Sequence, residues 1–187
     1  MVSLGALWLP ILVSTVFVFI ASNLIWMVVQ VHKKDWSQLP DEESFAEALR
    51  AQEPPPGEYT FPYAASSADW KSEAWQEKFK KGPVGFLTLR PPGEMAMGKN
   101  MALWVVYIVV IEVFVAYLAG RTLAAGTHYL EVFQVAGTAA ILGFAGAVAP
   151  EAIWMGRKWS NVLKFIFDGI VYGLLSAGTF GWLWPAA

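Results

Sequence analysis

Four stretches of this chain stay apolar for about as long as a helix needs to cross a bilayer: Leu4–Val31, Met101–Arg121, Glu131–Trp154 and Val162–Trp184. About 20 residues rising ~1.5 Å each cover the hydrocarbon layer, and inside it a backbone satisfies its own hydrogen bonds only as a helix or a closed barrel. The expected fold is an all-α membrane protein: four transmembrane helices, with a small α/β loop domain between helices 1 and 2. The division is 1–31 for the first helix, 32–100 for the loop domain and 101–187 for the rest, with helices at about 101–121, 131–154 and 162–184. The first stretch reads as a retained span. It lacks the basic leading region and small-residue cleavage site of a signal peptide, and it runs too long for one.

Charge divides the chain the same way. Residues 1–31 contain no Asp, Glu, Lys or Arg, while residues 33–99 hold nine of the thirteen Lys and Arg. A chain that is 56% hydrophobic and 15% charged is too apolar for an ordinary soluble domain of 187 residues. Its net charge of −2 leaves no broad basic surface for nucleic acid. With no Cys there is no disulfide, thiolate nucleophile, iron–sulfur cluster or Cys-bound zinc.

Lys33, Lys34, Lys99, Arg157 and Lys158 flank one side of the spans, and Arg121 alone flanks the other. Positive charge resists translocation, so both termini are expected in the periplasm of a bacterial inner membrane, with the 32–100 loop and the 155–161 turn cytoplasmic. Tryptophan rings favour the headgroup level. Trp8, Trp182 and Trp184 are therefore expected as outer anchors, and Trp104, Trp154 and Trp159 as inner ones.

The loop carries its own signals. Asp41 is a candidate cap for a short helix with Phe45, Ala48 and Leu49 on one stripe, ended by the Pro54–Gly57 run. A second helix is expected from about Ala68 to Lys81, with Ser67 as cap, Trp75 and Phe79 on one face and Gly82 after its end. Val84–Leu89 reads as a strand that Glu58–Phe61 can pair with. So small a unit has too few apolar residues to stand alone, and it is expected to lean on the spans or on another protein.

Ionisable groups inside a bilayer cost several kcal/mol and are the first functional candidates. Glu112 falls near the middle of the second span. Asp168 follows Lys164 by four residues on the fourth span, and Glu151, beside Pro150 at the inner end of the third, is close enough in depth to join them. Such a group relays protons or holds an amine; the plainer alternative is a snorkelling Lys164, an Asp168 paired with it or with a Trp or Tyr, and a hydrogen-bonded, protonated Glu112. Ser14, Ser22, Asn23 and Gln30 form a loosely polar stripe on the first span. Gly169, Gly173, Ala177 and Gly181 repeat every four residues, as do Ala139, Gly143 and Ala147, which predicts close packing of the third and fourth spans.

His32 and His128 are expected at opposite faces, so they cannot share one metal or haem. Pigment or haem ligation by either alone is not expected, and no cofactor or metal is. No phosphate-binding Gly loop, His-rich motif or nucleophile with a placed base is present, so no enzyme activity is expected.

Three segments taken together resemble an uncharacterised family of small four-span bacterial inner-membrane proteins. They are His32-Lys33-Lys34-Asp35-Trp36 running to Leu39-Pro40-Asp41-Glu42; Gly82-Pro83-Val84-Gly85-Phe86-Leu87-Thr88 with Met97-Gly98-Lys99-Asn100; and Ile153-Trp154-Met155-Gly156 through Phe180-Gly181-Trp182-Leu183-Trp184-Pro185. The resemblance covers most of the chain; it implies four bacterial spans and brings no site residues. The function expected from the residues is a non-catalytic accessory subunit that packs against a larger membrane complex, respiratory or photosynthetic, with lipid and other membrane subunits as partners. The alternative is a small homo-oligomeric or proton-coupled carrier using Glu112 and Asp168.

Overall fold

The computed structural model describes all residues from Met1 to Ala187 and is mostly helical, with a two-stranded sheet. In chain order its elements are α1 (Trp8–Asn23), α2 (Glu42–Gln52), β1 (Gly57–Phe61), α3 (Ser67–Lys71), α4 (Glu73–Lys81), β2 (Gly85–Leu89), α5 (Met97–Thr122), α6 (Tyr129–Ala145), α7 (Ala149–Trp154) and α8 (Trp159–Trp182). Four helical stretches are long and apolar enough to cross a membrane: Leu4–Val29, Met97–Thr122, Tyr129–Trp154 and Trp159–Trp182.

Two of these stretches are not regular helices. The first opens with a 3-10 turn at Leu4–Leu7, capped by Ser3, and closes with a π-helical turn at Leu24–Val29. The expected continuous helix 131–154 is broken: α6 stops at Ala145 and α7 begins at Ala149. Pro150 explains the break. Continued helix would need an N–H from residue 150 to the Gly146 carbonyl, and proline has no N–H while its ring clashes there.

The spans form a ring in sequence order: α1 packs on α5 and α8, and α6 packs on α5 and α8. Val2 N–H donating to Gly120 O and Gly126 N–H to Pro185 O, each at 2.8 Å, tie one end. Leu7, Val18, Ile108, Val115, Val132, Ala136 and Phe180 fill the centre. Phe17, Leu12, Phe114, Leu142 and Phe167 point outward and stay exposed. An apolar exterior this extensive suits hydrocarbon and not water.

The fourth-span stripe lies against α6. A Cβ built on Gly169 comes within 2.7 Å of Ala145, one on Gly181 within 2.7 Å of the Tyr129 ring, and one on Gly173 overlaps Ile141. The answering face of α6 is Gly137, Ile141 and Ala145, not the expected Ala139, Gly143 and Ala147. Residues two apart on a helix stand about 200° round from each other, so only one of those sets can face α8. Gly143 turns to Ile111 of α5, Ala139 is half-buried, and Ala147 is exposed in the break.

The anchors also divide. Trp8, Trp154, Trp159 and Trp182 are exposed, whereas Trp184 donates to Ala124 O and Trp104 turns inward to donate to Ser22 Oγ at 2.9 Å. Trp104 is therefore half-buried, with its indole N–H turned into the bundle.

Residues 37–95, together with 154–156, form a second compact unit. Its strands β1 and β2 pair antiparallel, Gly57 opposite Leu89 and Phe61 opposite Gly85. Asp41 caps α2 by accepting from Ser44 N–H. The expected helix 68–81 is two helices: Ser66, not Ser67, caps α3 in a reciprocal box with Asp69, and Ser72 then caps α4 through Trp75 N–H. A second serine cap inside the run ends one helix and starts another. No residue of this unit is buried.

Overpacking a tight contact costs about 1–3 kcal/mol. Gly173→Ala should therefore lower the melting temperature of the purified protein by several degrees, while Gly178→Ala, whose Cβ would sit 3.7 Å from the nearest atom, should not. Equal melting of both variants and the parent would contradict the α6–α8 seam.

Candidate functional site

At the end of the bundle where α1 finishes and α8 begins, the chain doubles back on itself. The π turn carries one residue more per hydrogen-bonded ring than an α turn, and Gln30 then adopts a left-handed conformation, φ 55°. Two tight turns, Lys33 N–H to Gln30 O and Asp35 N–H to His32 O, then bring His32 and Asp35 against α8. His32 was expected at the interface; it is 3% exposed.

The imidazole of His32 bridges two carboxylates, Nδ1 to Asp35 at 2.7 Å and Nε2 to Asp168 at 2.9 Å. Trp26 stacks on the ring at 4.1 Å between centroids, and Phe165 tilts against it. Lys164 does not pair with Asp168, the nearest carboxylate on its own helix face. Its ammonium donates to Asp35 and to Val31 O. Asn161 donates to Asp35 O at 2.9 Å. Burial alone would raise the Asp35 carboxyl, but the hydrogen bonds and charges of Lys164 and His32 outweigh it and hold Asp35 below the ordinary value of 3.8.

This geometry limits where the protons can be. An ionised carboxylate only accepts, so an imidazole meeting ionised carboxylates at both nitrogens donates from both and is a cation. Otherwise a neutral imidazole donates to Asp35 and accepts from a protonated Asp168. Either way one proton lies between His32 and Asp168. With it, two carboxylates balance the ammonium and that proton; without it, the buried cluster carries one uncompensated negative charge, which low dielectric makes costly.

Asp168 has a second face. It lines a cavity of about 720 Å³ whose walls are Trp26, Met27, Met97, Met101, Trp104, Tyr107, Phe144, Val148, Phe165, Gly169 and Tyr172, with Ser22 and Asn23 as the other polar groups. One of its carboxylate oxygens is buried without a partner. His32 meanwhile borders a separate hollow of about 290 Å³ with Gln30, Lys33 and Trp36. The His32–Asp168 pair thus stands between the apolar cavity and a more polar recess.

The remaining candidates lie elsewhere. Glu151 does not join the cluster; it pairs with Arg157 at 2.6 Å in an exposed bridge, because the break after Ala145 turns it outward. Glu112 is fully buried in the bundle, where Ser176 meets one carboxylate oxygen and the other has no partner. Ser176 also meets Tyr172 O but owns a single proton. His128 is exposed and caps α6 through Leu130 N–H. Ser14 is buried and bonds its own helix. Lys164, Asp168, Tyr172 and Ser176 stand at four-residue intervals, so one face of α8 is polar over about 18 Å at ~1.5 Å per residue. That spacing was the signal for the interior line. Nothing in the sequence pattern told that His32 would fold back to meet it.

No family model, curated protein or solved structure matches the chain.

The acid limb of stability has a definite sign. A carboxylate whose folded value is depressed contributes stability that is present above its unfolded value and is lost as pH falls through the folded one. Melting temperature should therefore hold as pH falls to about 4 and drop below it, and Asp35→Asn should lower the plateau and flatten that drop. An unchanged acid limb in Asp35→Asn would contradict the assignment. Glu112→Gln, which keeps shape and supplies donors, should melt within a few degrees of the parent, whereas Glu112→Ala should cost about 1–3 kcal/mol.

Proposed function

We propose that this chain is a multi-pass protein of the bacterial inner membrane, with both termini in the periplasm, that holds a small amphipathic molecule inside its bundle and ties occupancy to one proton. The observation that carries the reading is the buried His32–Asp168 pair, which shares a proton while one partner borders an apolar cavity and the other a polar recess. Intramembrane ionisable groups mark proton and substrate routes. The clustering of Lys33, Lys34, Lys99, Arg157 and Lys158 supports the orientation. A cavity at one end of four spans makes half a pathway, so transport by this site needs a second copy. Glu112 and Asp168 give way as the carrier pair to His32 and Asp168, and Glu112 becomes the inner end of the polar face.

A second reading, the non-catalytic accessory subunit, rests on a different observation. Residues 37–95 fold without burying one residue and leave Trp70, Phe79, Phe86, Phe45 and Tyr63 exposed. A unit with so little interior is stabilised by a surface outside itself. Deleting residues 41–81 and comparing the proteins that co-migrate after gentle native purification tests it: loss of a co-migrating membrane complex is the expected result, and an unchanged set contradicts it.

For the principal reading, infrared difference spectra of the full chain through a pH titration should contain one carboxyl–imidazole protonation step. Asp168→Asn and His32→Gln should each remove it and Glu112→Gln should leave it. A step that survives both substitutions overturns the shared proton.

A further inference from the structure

We infer that the ligand of the cavity is a lipophilic ammonium, a protonated amine on a hydrocarbon body, bound in exchange for the proton on the His32–Asp168 pair. The inference rests on the proton-coupled reading and adds the class of molecule.

The walls set the body of the ligand. A cavity of about 720 Å³ lined by Met27, Met97, Met101 and Val148 beside aromatic rings takes a hydrocarbon of drug-like size, and sites of this kind fix orientation through very few polar groups. The head is set by what is polar and what surrounds it. Trp26, Trp104, Tyr107, Phe144, Phe165 and Tyr172 bring six aromatic rings to one space. Ring faces attract a cation, more strongly once it is desolvated. The one carboxylate among them, Asp168, has an oxygen that lacks a hydrogen bond, and an N–H donor satisfies it.

Charge decides between candidate heads. The groups facing Asp168 are His32 and, one step further, Asp35 from the segment after α1, with Lys164 and Tyr172 from α8; Tyr107 of α5 borders the same cavity, and α6 contributes no ionisable wall residue. Lys164 is committed to Asp35 and Val31 O, so no cation is free to receive an anionic head. A neutral alcohol fills the lone pair but draws no attraction from the ring faces. An ammonium does both. When it binds, the proton between His32 and Asp168 leaves for water through the recess bordered by Gln30, Lys33 and Trp36, and the cluster stays neutral: one cation enters as one proton departs. No covalent bond changes except that N–H or O–H.

The test is isothermal titration calorimetry of the full chain in nanodiscs, corrected with empty nanodiscs, using three probes on one skeleton: 4-phenylbutylammonium, 4-phenyl-1-butanol and 4-phenylbutyrate. The ammonium should bind at least about tenfold tighter than the alcohol, and the carboxylate weakest. Below the pH at which the pair gives up its proton, the affinity of the ammonium should rise with pH by up to about tenfold per unit, with close to one proton released per ligand. Asp168→Asn should abolish the preference and the pH dependence together. Should that variant fail to fold, Met101→Trp fills the cavity without touching the polar cluster and should remove binding of the ammonium at unchanged melting temperature. Alcohol binding that equals or exceeds the ammonium while still depending on pH and Asp168 overturns the ligand class and leaves the proton-coupled site standing. Binding that ignores pH, Asp168→Asn and Met101→Trp alike overturns both.

Discussion

An imidazole wedged between two buried carboxylates can be neutralised in few ways, and that restriction organises one end of this molecule. His32 needs Asp35 at one nitrogen and Asp168 at the other, and Asp35 in turn needs Lys164. These four groups come from two segments far apart in sequence. Their mutual neutralisation fixes how the chain leaves the first span: it must turn back under the bundle instead of running into water. Removing Asp35 or Lys164 alone leaves the other's charge without its partner, the situation in which buried pairs cost several kcal/mol to break.

Packing makes room for this cluster. Along most of its length α8 lies against α6 with only hydrogen atoms between Gly169, Gly173, Gly181 and the facing helix. The seam ends where α6 ends, at Ala145, and beyond it the break before Pro150 lets the walls part. Phe144, Val148 and Gly169 at that boundary are cavity walls. One end of the bundle is thus closed by small residues and the other is opened by a helix break.

Much of this was legible in the residues. Length and hydropathy gave the four spans within a few positions, Asp41 the cap of α2, and the alternation of Val84–Leu89 the strand that Glu58–Phe61 joins. The small-residue repeat on α8 was legible; its partner on α6 was not, because two interleaved stripes of small residues are equally regular and only the docked helix chooses. The burial of His32 was not legible: beside two lysines it reads as an exposed residue, whereas a π turn and a left-handed Gln30 fold it back onto α8, and neither leaves a periodic mark. Glu151 failed similarly, since its orientation depends on where the third span breaks.

Proton position at His32 is the most direct test of the shared-proton site, and it is simple to observe because the chain has two histidines, of which His128 is exposed and serves as an internal reference. Nitrogen-15 spectra of imidazole-labelled full chain in nanodiscs should give His32 a signal with both nitrogens in strong hydrogen bonds, and Asp168→Asn should change the Nε2 signal while leaving the Nδ1 signal, held by Asp35, in place. A His32 signal that matches His128, or that is identical in the parent and in Asp168→Asn, would contradict the shared proton on which the site depends.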